Sequence, residues 1–335
     1  MKKKLTISIV IILFCGTALY ILKQHSFAMV EQTVEIKTAE GKLTGTFILP
    51  KNHNKKIGLV LFIHGDGPAD STLDGGYRHI WERLASAGYA SLSLNKRGIN
   101  GSDGNWLDQS IDDRVEEARQ AIAWAKAQPM IDSTKIGTWG ASQAGWVIPK
   151  LAEKEQLAFS ILVGPAINWL SQGEYNTRMQ MKHDGYTEVD IENAVAKGRE
   201  VRKLLRRNAS YEEYLKLVNE KDAMSKERWN FVSKNFLSDV TDDLPLFRSP
   251  VLLLLGEKDI NVDSKETEQV YCRIIPPELL TVTVFPDTEH RMMSTKTAYS
   301  DFRALIISIF KPRQITVPGY LNEIERFLKK LPKHT

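Results

Sequence analysis

The chain is poor in the residues that build covalent or metal staples. Of its 335 residues, two are cysteine and seven histidine. Cys15 falls in an N-terminal apolar run, which leaves Cys272 alone, so no intramolecular disulfide can form in the remainder. One cysteine and scattered histidines assemble no structural zinc pattern, and no metal or organic cofactor is implied. Cys272 lies in an apolar helical stretch and reads as a small core residue. Surplus charge is missing too. The formal net charge is +4, and Lys2, Lys3, Lys4 and Lys23 account for it: without residues 1–28, 41 basic residues face 41 acidic ones. Proteins that neutralise phosphates carry a basic footprint; none is left here, which argues against nucleic acid as a partner. Internal repeats and low-complexity tracts are absent, which sets aside solenoids.

One long apolar run stands out. Lys2, Lys3 and Lys4 precede an almost unbroken apolar stretch from Leu5 to Leu22. A basic start before such a run reads as a secretory leader or an N-terminal membrane anchor. Ser26-Phe27-Ala28 puts small residues at the −3 and −1 positions of a cleavage after Ala28. Residues 1–28 are therefore expected outside the fold. The protein is expected to be exported (periplasmic or extracellular) or anchored, meeting a membrane only through this segment.

From Val30 onward strand and helix patterns alternate. Thr33–Lys37 and Leu43–Leu49 read as a hairpin turned at Glu40-Gly41. Ile57–Ile63 is a continuous apolar run, as expected of a buried parallel strand. Tyr77–Ala87 has helical spacing, Tyr89–Leu94 is a strand, Asp112–Gln128 an amphipathic helix and Lys135–Trp139 a short strand. Ser142–Lys154 reads as a helix and Ala158–Val163 as a strand. Between about residues 167 and 247 the chain is charged and helix-forming, with helical spacing over Asp190–Arg206 and Tyr211–Lys221. The alternation resumes with Val251–Leu255, a helix over Lys265–Ile274, the strand Leu280–Phe285, and helices over Ala298–Phe310 and Tyr320–Leu331. Alternating elements imply an α/β fold, a mostly parallel sheet covered on both faces. The expected organisation is a core of residues 29–165 and 248–335 with a helical cap, 166–247, inserted into it.

Gly140-Ala141-Ser142-Gln143-Ala144-Gly145 carries the most chemistry. A strand runs into a serine flanked by small residues and a helix begins at once. This is the pattern of a nucleophile elbow, G-x-S-x-G, in which small neighbours let strand and helix approach while the serine hydroxyl projects from the sheet. Here Ala144 stands at the second glycine position and Gly145 follows. The bland alternative is a helix N-cap serine. A serine hydroxyl needs a positioned base. His25 lies in the leader, His334 at the C-terminus, His53 in a turn with Lys51, Asn52 and Asn54, His79 in a helix and His183 in the cap. His64 and His290 remain. His290 follows the strand Leu280–Phe285, where ligands gather in such sheets; His64, before Gly65, reads as a loop-shaping residue. The acid should follow Val251–Leu255. Asp259 is in place to accept the imidazole Nδ1–H, with Asp263 and then Glu257 as alternatives. An oxyanion needs fixed donors. The Gln143 backbone N–H supplies one. The loop His64-Gly65-Asp66-Gly67 is expected to supply another, the Asp66 N–H, with the Asp66 carboxylate expected to point away, held by turn contacts, or to meet a positive group on the substrate.

The order Ser…Asp…His and the elbow resemble the α/β-hydrolase superfamily, over roughly residues 30–165 and 248–332. Arg97-Gly98-Ile99-Asn100-Gly101-Ser102 is similar to that superfamily's structural R-G-x-G-x-S loop. Within it the chain resembles bacterial esterases and dienelactone-hydrolase-like or acylaminoacyl-peptidase-like proteins. The resemblance implies a serine hydrolase, carboxylesterase-like (EC 3.1.1), acting on a small-molecule ester through an acyl-serine, with Ser142, Asp259 and His290 as triad. A peptidase on short peptides or aminoacyl amides, an acyltransferase, and a non-catalytic binding module are the alternatives. Trp106, Trp146 and Trp169 are candidates to line the substrate pocket.

Overall fold

A computed structural model describes residues 2–52 and 55–331; His53 and His334 lie outside them. The chain opens with α1 (Lys2–Gln24) and the antiparallel hairpin β1 (Met29–Thr38) and β2 (Gly41–Pro50). Gly41, at φ +104°, makes the turn that β-carbon-bearing residues resist. Then come β3 (Ile57–Ile63), α2 (Arg78–Ser86), β4 (Tyr89–Leu94), α3 (Ile111–Lys126), β5 (Ile131–Ala141), α4 (Ile148–Lys154) and β6 (Ser160–Val163). Four helices follow without a strand: α5 (Trp169–His183), α6 (Glu188–Arg206), α7 (Tyr211–Leu217) and α8 (Lys226–Asn235). The chain returns through β7 (Val251–Gly256), α9 (Ser264–Ile274), β8 (Leu280–Phe285), α10 (Thr295–Ala298), α11 (Asp301–Phe310) and α12 (Pro318–Lys330).

The eight strands form one sheet in the order β1-β2-β4-β3-β5-β6-β7-β8. The pairs β1–β2 and β2–β4 are antiparallel and every other pair is parallel. This is the α/β-hydrolase fold. Every residue of β3 and β7 is buried, because helices cover both faces, and each wholly buried Leu or Ile contributes about 1.5–3 kcal/mol. On one face α3, α4 and α9 pack through Val115, Ile122, Leu151 and Tyr271. On the other, α2 and α12 pack through Trp81, Leu84, Tyr320 and Ile324. The segment between β6 and β7 has a small core of its own, Leu205, Tyr214, Trp229 and Phe236, with Tyr214 and Trp229 stacked 4.5 Å apart. From β3 the chain goes to β4 on one side and later to β5 on the other, so strand order reverses at β3. The carboxyl ends of β3 and β5 border the crevice where such sheets bind ligands.

Several sequence expectations need correction. The helix expected over Ser142–Lys154 begins as a 3-10 turn, Ser142–Trp146, before α4. The one expected over Ala298–Phe310 is split at Tyr299 and Ser300, where the Ser300 hydroxyl accepts from the Arg303 N–H and caps α11 afresh. Strand β5 begins at Ile131, four residues earlier than its apolar run, because Ile131 pairs with Ile57. Cys272 is exposed, not core: α9 buries Ser264, Thr267, Val270 and Tyr271, and the next position turns to solvent. Among the residues whose side chains are described, no helix is long and apolar enough to cross a membrane; the first part of α1 lies outside that description.

Candidate active site

Strand β5 delivers Ser142 at φ +55°, a left-handed conformation costly for a residue with a side chain. Close packing imposes it. A β-carbon on Gly140 would sit 2.6 Å from the Ala144 Cβ and 2.7 Å from Ile148 Cδ1. One on Gly145 would sit 2.5 Å from Pro165 Cβ. The Ala144 methyl thus fills the space Gly140 leaves, and Gly145, one place later, provides the approach to the neighbouring loop. That accounts for the departure from G-x-S-x-G.

The loop after β3 lies against this turn. A β-carbon on Gly65 would be 3.3 Å from Ser142 Cβ. Three cations hold the loop. Lys96, buried at the end of β4, donates to the carbonyls of Gly65 (2.6 Å) and Gly67 (2.7 Å). Burial, and then the nearby Arg114 charge, push its pKa well below the usual lysine value. Arg114, buried on α3, donates to the His64 carbonyl and to Gln143 Oε1, both at 2.5 Å. It therefore joins the two backbone segments that carry the candidate oxyanion donors. Arg228 from α8 grips both oxygens of Asp66, at 2.8 and 2.5 Å. The Asp66 carboxylate is thus held chiefly by an arginine of α8, with the Gly67 N–H of its own turn and Gln143 Nε2 (3.3 Å) beside it. Burial alone would raise the Asp66 pKa, but the hydrogen bonds and charge of Arg228 outweigh it and bring it below the usual carboxylate value. The contact therefore survives mild acid and is lost only as pH falls through that lowered pKa. Lys96→Met would leave two carbonyls without their donor. It is expected to cost about 1–3 kcal/mol in chemical denaturation and to lower kcat with KM nearly unchanged, which steady-state kinetics would show.

Asp259 and His290 come together from the loops after β7 and β8. His290 Nδ1 lies 2.7 Å from Asp259 Oδ2; because the carboxylate can only accept, Nδ1 carries the proton and Nε2 is left with its lone pair. Asp259 Oδ1 accepts from the N–H groups of Asn261 (2.7 Å) and Val262 (2.9 Å), and its side chain is wholly buried. The α5 side chains brace the loop: Tyr175 donates to the Asp259 carbonyl at 2.9 Å and Gln172 to that of Asn261 at 2.8 Å. Burial alone would lower the His290 pKa, but the Asp259 charge and hydrogen bond prevail and raise it above the ordinary value. Asp263 caps α9 through the N–H groups of Lys265 and Glu266. Glu257 binds the Asp287 N–H at the surface. Neither is bonded to His290.

Register ties the two halves together. Ala141 pairs with Val163, so Ser142 and Gly164 leave the sheet side by side. A β-carbon on Gly164 would lie 3.1 Å from His290 Nδ1 and 3.4 Å from Asp259 Oδ2. His64 stands apart: Nε2 meets the Leu94 carbonyl at 2.7 Å and Nδ1 the Tyr77 hydroxyl at 3.1 Å. Burial, then the Lys96 charge, lower its pKa to about 3, which leaves it neutral with both nitrogens engaged.

The tryptophans divide. Trp106 lies half-buried beneath Lys96 Nζ (5.0 Å) and against Phe231 (5.5 Å). Trp169 stacks on Trp146 at 5.0 Å. Trp146 is 4% exposed and donates to the Ile167 carbonyl at 2.8 Å; it packs in the core against Trp169. Lys96, Arg114 and Arg228 escaped the sequence reading. A signal existed for Arg114, which sits on the apolar face of α3 with Ile111, Val115 and Ala118, a position an arginine occupies only when its donors are used.

Comparison with known proteins bears on the family and the fold. The curated relatives include dipeptidyl-peptidase 5 of Porphyromonas gingivalis, 22% identical over 275 residues, which cover 78% of this chain and 35% of that one. Dipeptidyl aminopeptidase BIII of Pseudoxanthomonas mexicana is 33% identical over 132 residues, 34% of this chain and 18% of that one. The chain thus spans well under half the length of these relatives. Among solved structures, an esterase of Pyrococcus furiosus has a TM-score of 0.56 at 19% identity, covering 90% of this chain and 92% of that one. The acylaminoacyl peptidase of Pyrococcus horikoshii has a TM-score of 0.57 at 13% identity, covering 94% and 43%. These likenesses show the fold. The family model of the X-Pro dipeptidyl-peptidases (S15 family) matches residues 41–286, from β2 through the end of β8. By the reach of that match the chain belongs to the X-Pro dipeptidyl-peptidase (S15) family.

Proposed function

We propose that the protein is a serine hydrolase that cleaves an acyl bond through an acyl-Ser142 intermediate. The observation that carries this reading is the Asp259–His290 pair at 2.7 Å beside a serine held at positive φ. His290 Nε2 takes the Ser142 proton as the hydroxyl attacks the scissile carbonyl. Asp259 keeps the imidazole in the required tautomer and stabilises the imidazolium. The backbone N–H groups of Asp66 and Gln143 receive the oxyanion. His290 then protonates the departing amine or alcohol, and water releases the acyl group by the same steps in reverse. The helices α5–α8 act as a cap, touching the site through Tyr175, Gln172 and Arg228.

The family and its dipeptidyl-peptidase relatives make short peptides with a free N-terminus the first substrate class. Esters are the second reading, favoured by one feature: Asp66 is already paired with Arg228 and is not free to receive a substrate ammonium group. The test is fluorophosphonate labelling of the full chain and of Ser142→Ala, then turnover of Xaa-Pro and other aminoacyl p-nitroanilides beside p-nitrophenyl esters. A well-folded wild type that never labels would refute the serine mechanism; hydrolysis of esters alone would remove the peptidase reading. Arg228→Ala discriminates further. Both partners are partly exposed, so stability is expected to change by less than about 1 kcal/mol. Releasing Asp66 is expected to raise kcat/KM for substrates bearing a free ammonium, relative to neutral esters, by roughly tenfold, the scale of one charge-assisted hydrogen bond.

Residues 1–28 we assign as an export leader or membrane anchor, supported by the basic start and by the helix α1 that continues to Gln24.

A further inference from the structure

The helix α11 breaks the rule that the apolar stripe of a surface helix faces the core. Its sequence, Asp301-Phe302-Arg303-Ala304-Leu305-Ile306-Ile307-Ser308-Ile309-Phe310, is largely apolar, yet none of its residues is buried. Phe302, Leu305 and Ile306 are 75%, 56% and 39% exposed; they fall at i, i+3 and i+4, one stripe turned to solvent, which runs on to the half-buried Ile309 at i+7. Tyr299, just before the helix, is exposed too. A contiguous apolar patch of this kind calls for an occupant.

Its neighbour indicates which one. Helix α1 packs against α11 and leaves the body at that helix's C-terminal end. His25 Nε2 lies 3.0 Å from the Ile309 carbonyl. Arg313 donates to the carbonyls of Gln24 (2.5 Å) and Ser26 (2.9 Å) and is anchored on Glu82. In α1, Ile11, Ile12, Leu13 and Phe14 are all exposed; four consecutive positions, each turned by about 100°, cover the whole circumference. A helix apolar on every side belongs in lipid. The α11 stripe continues that surface along the body. The exposed charges that flank it are of both signs, Lys296, Arg303 and Lys311 with Asp74, Asp287 and Asp301, as at the polar rim of an interfacial helix.

We propose that α11 is an interfacial membrane helix: Phe302, Leu305 and Ile306 lie in the headgroup–acyl boundary of a bilayer. The body is thereby held by two adjacent elements, α1 and α11, in one fixed orientation to the membrane. The proposal rests on the reading of residues 1–28 as a membrane-directed segment and adds to it a second contact within the folded enzyme.

The test uses the full chain with Cys15 and Cys272 replaced by serine, carrying one bimane label at Leu305→Cys or, as control, at Asp112→Cys on α3, across the sheet. Each is reconstituted with vesicles of phosphatidylglycerol and phosphatidylcholine containing shallow doxyl-labelled lipid. The expected result is a blue-shifted label at position 305, quenched several-fold more by doxyl lipid than the control and protected from iodide. A chain that floats with the vesicles while the label at 305 is quenched by iodide and not by lipid would overturn the proposal and leave the anchor reading standing. A chain that does not float overturns both. A label shielded without lipid, in a species of twice the monomer mass, would show that a second copy covers α11 and would also overturn it.

Discussion

Replacing Ser142 by alanine is expected to lower kcat by roughly 10⁶-fold, the scale seen when the nucleophile of such a triad is removed, while the protein remains folded. The two parts of this result have separate causes. Activity is expected to disappear because the proposed nucleophile is the hydroxyl that β5 delivers into the 3-10 turn, beside Gly65. Stability is retained because Ser142 contributes strain, not packing: its φ of +55° is one that side-chain-bearing residues resist. Ser142→Gly sharpens the point. It removes the hydroxyl and relieves the backbone together, and is expected to raise stability by about 1 kcal/mol while abolishing turnover. Kinetics and thermal unfolding on the same preparations would check it. A Ser142→Gly variant that unfolds earlier than wild type would show that the serine side chain makes a contact that outweighs the strain.

The second large effect is expected at Asp259. Asp259→Asn keeps the shape and the acceptor oxygen for Asn261 and Val262. It can, however, turn an amide N–H toward His290 Nδ1 and favour the tautomer whose Nε2 carries the proton. A fall in kcat of roughly 10⁴-fold is expected, the cost of the wrong tautomer in such a triad. The pH profile separates this from simple misfolding. In the wild type Asp259 raises the His290 pKa above its ordinary value, against the lowering effect of burial. The base must be neutral, so wild-type activity should rise only as pH passes upward through that raised pKa. In the variant the residual activity should rise at lower pH. Stability carries the matching sign. A histidine whose folded pKa is raised contributes stability that is full below its unfolded pKa, about 6.5, and lost as pH rises through the folded one. The stability gap between wild type and variant is therefore expected to be wider near about pH 6 than near about pH 9. A gap independent of pH would show that Asp259 does not raise the His290 pKa in the folded protein.

Much of this architecture is written locally. The apolar runs Ile57–Ile63 and Val251–Leu255 are strands buried on both faces, and their patterns carry that message without any partner being known. The glycines and alanines around Ser142 announce a tight strand-to-helix turn for the same reason, since only small residues permit the approach. Ser142, Asp259 and His290 could be nominated because each follows a strand, and strand ends of a parallel sheet share one edge. The insertion between β6 and β7 is legible as an interruption of the alternation. Boundaries were less legible: β5 begins at Ile131 because its partner β3 extends to Ile57, and the break at Tyr299–Ser300 depends on a cap that restarts the helix.

Tertiary structure decided what periodicity does not encode, namely which charge meets which. The sequence ranks Asp259 ahead of Asp263 and Glu257 without excluding them; the descent of the β8 loop places His290 against the first, while helix capping takes the second and the surface the third. Lys96, Arg114 and Arg228 come from just after β4, from α3 and from α8, far apart in the chain, and converge on the loop after β3 because the sheet reverses its strand order there. Cys272 and α11 show the same limit from the opposite side. Both sit in apolar sequence, and both are exposed, because whether an apolar face finds a partner depends on what the rest of the chain brings to it. The sequence by itself determined the sheet, the elbow and the residues able to carry the chemistry; long-range packing alone determined how they are charged, braced and oriented.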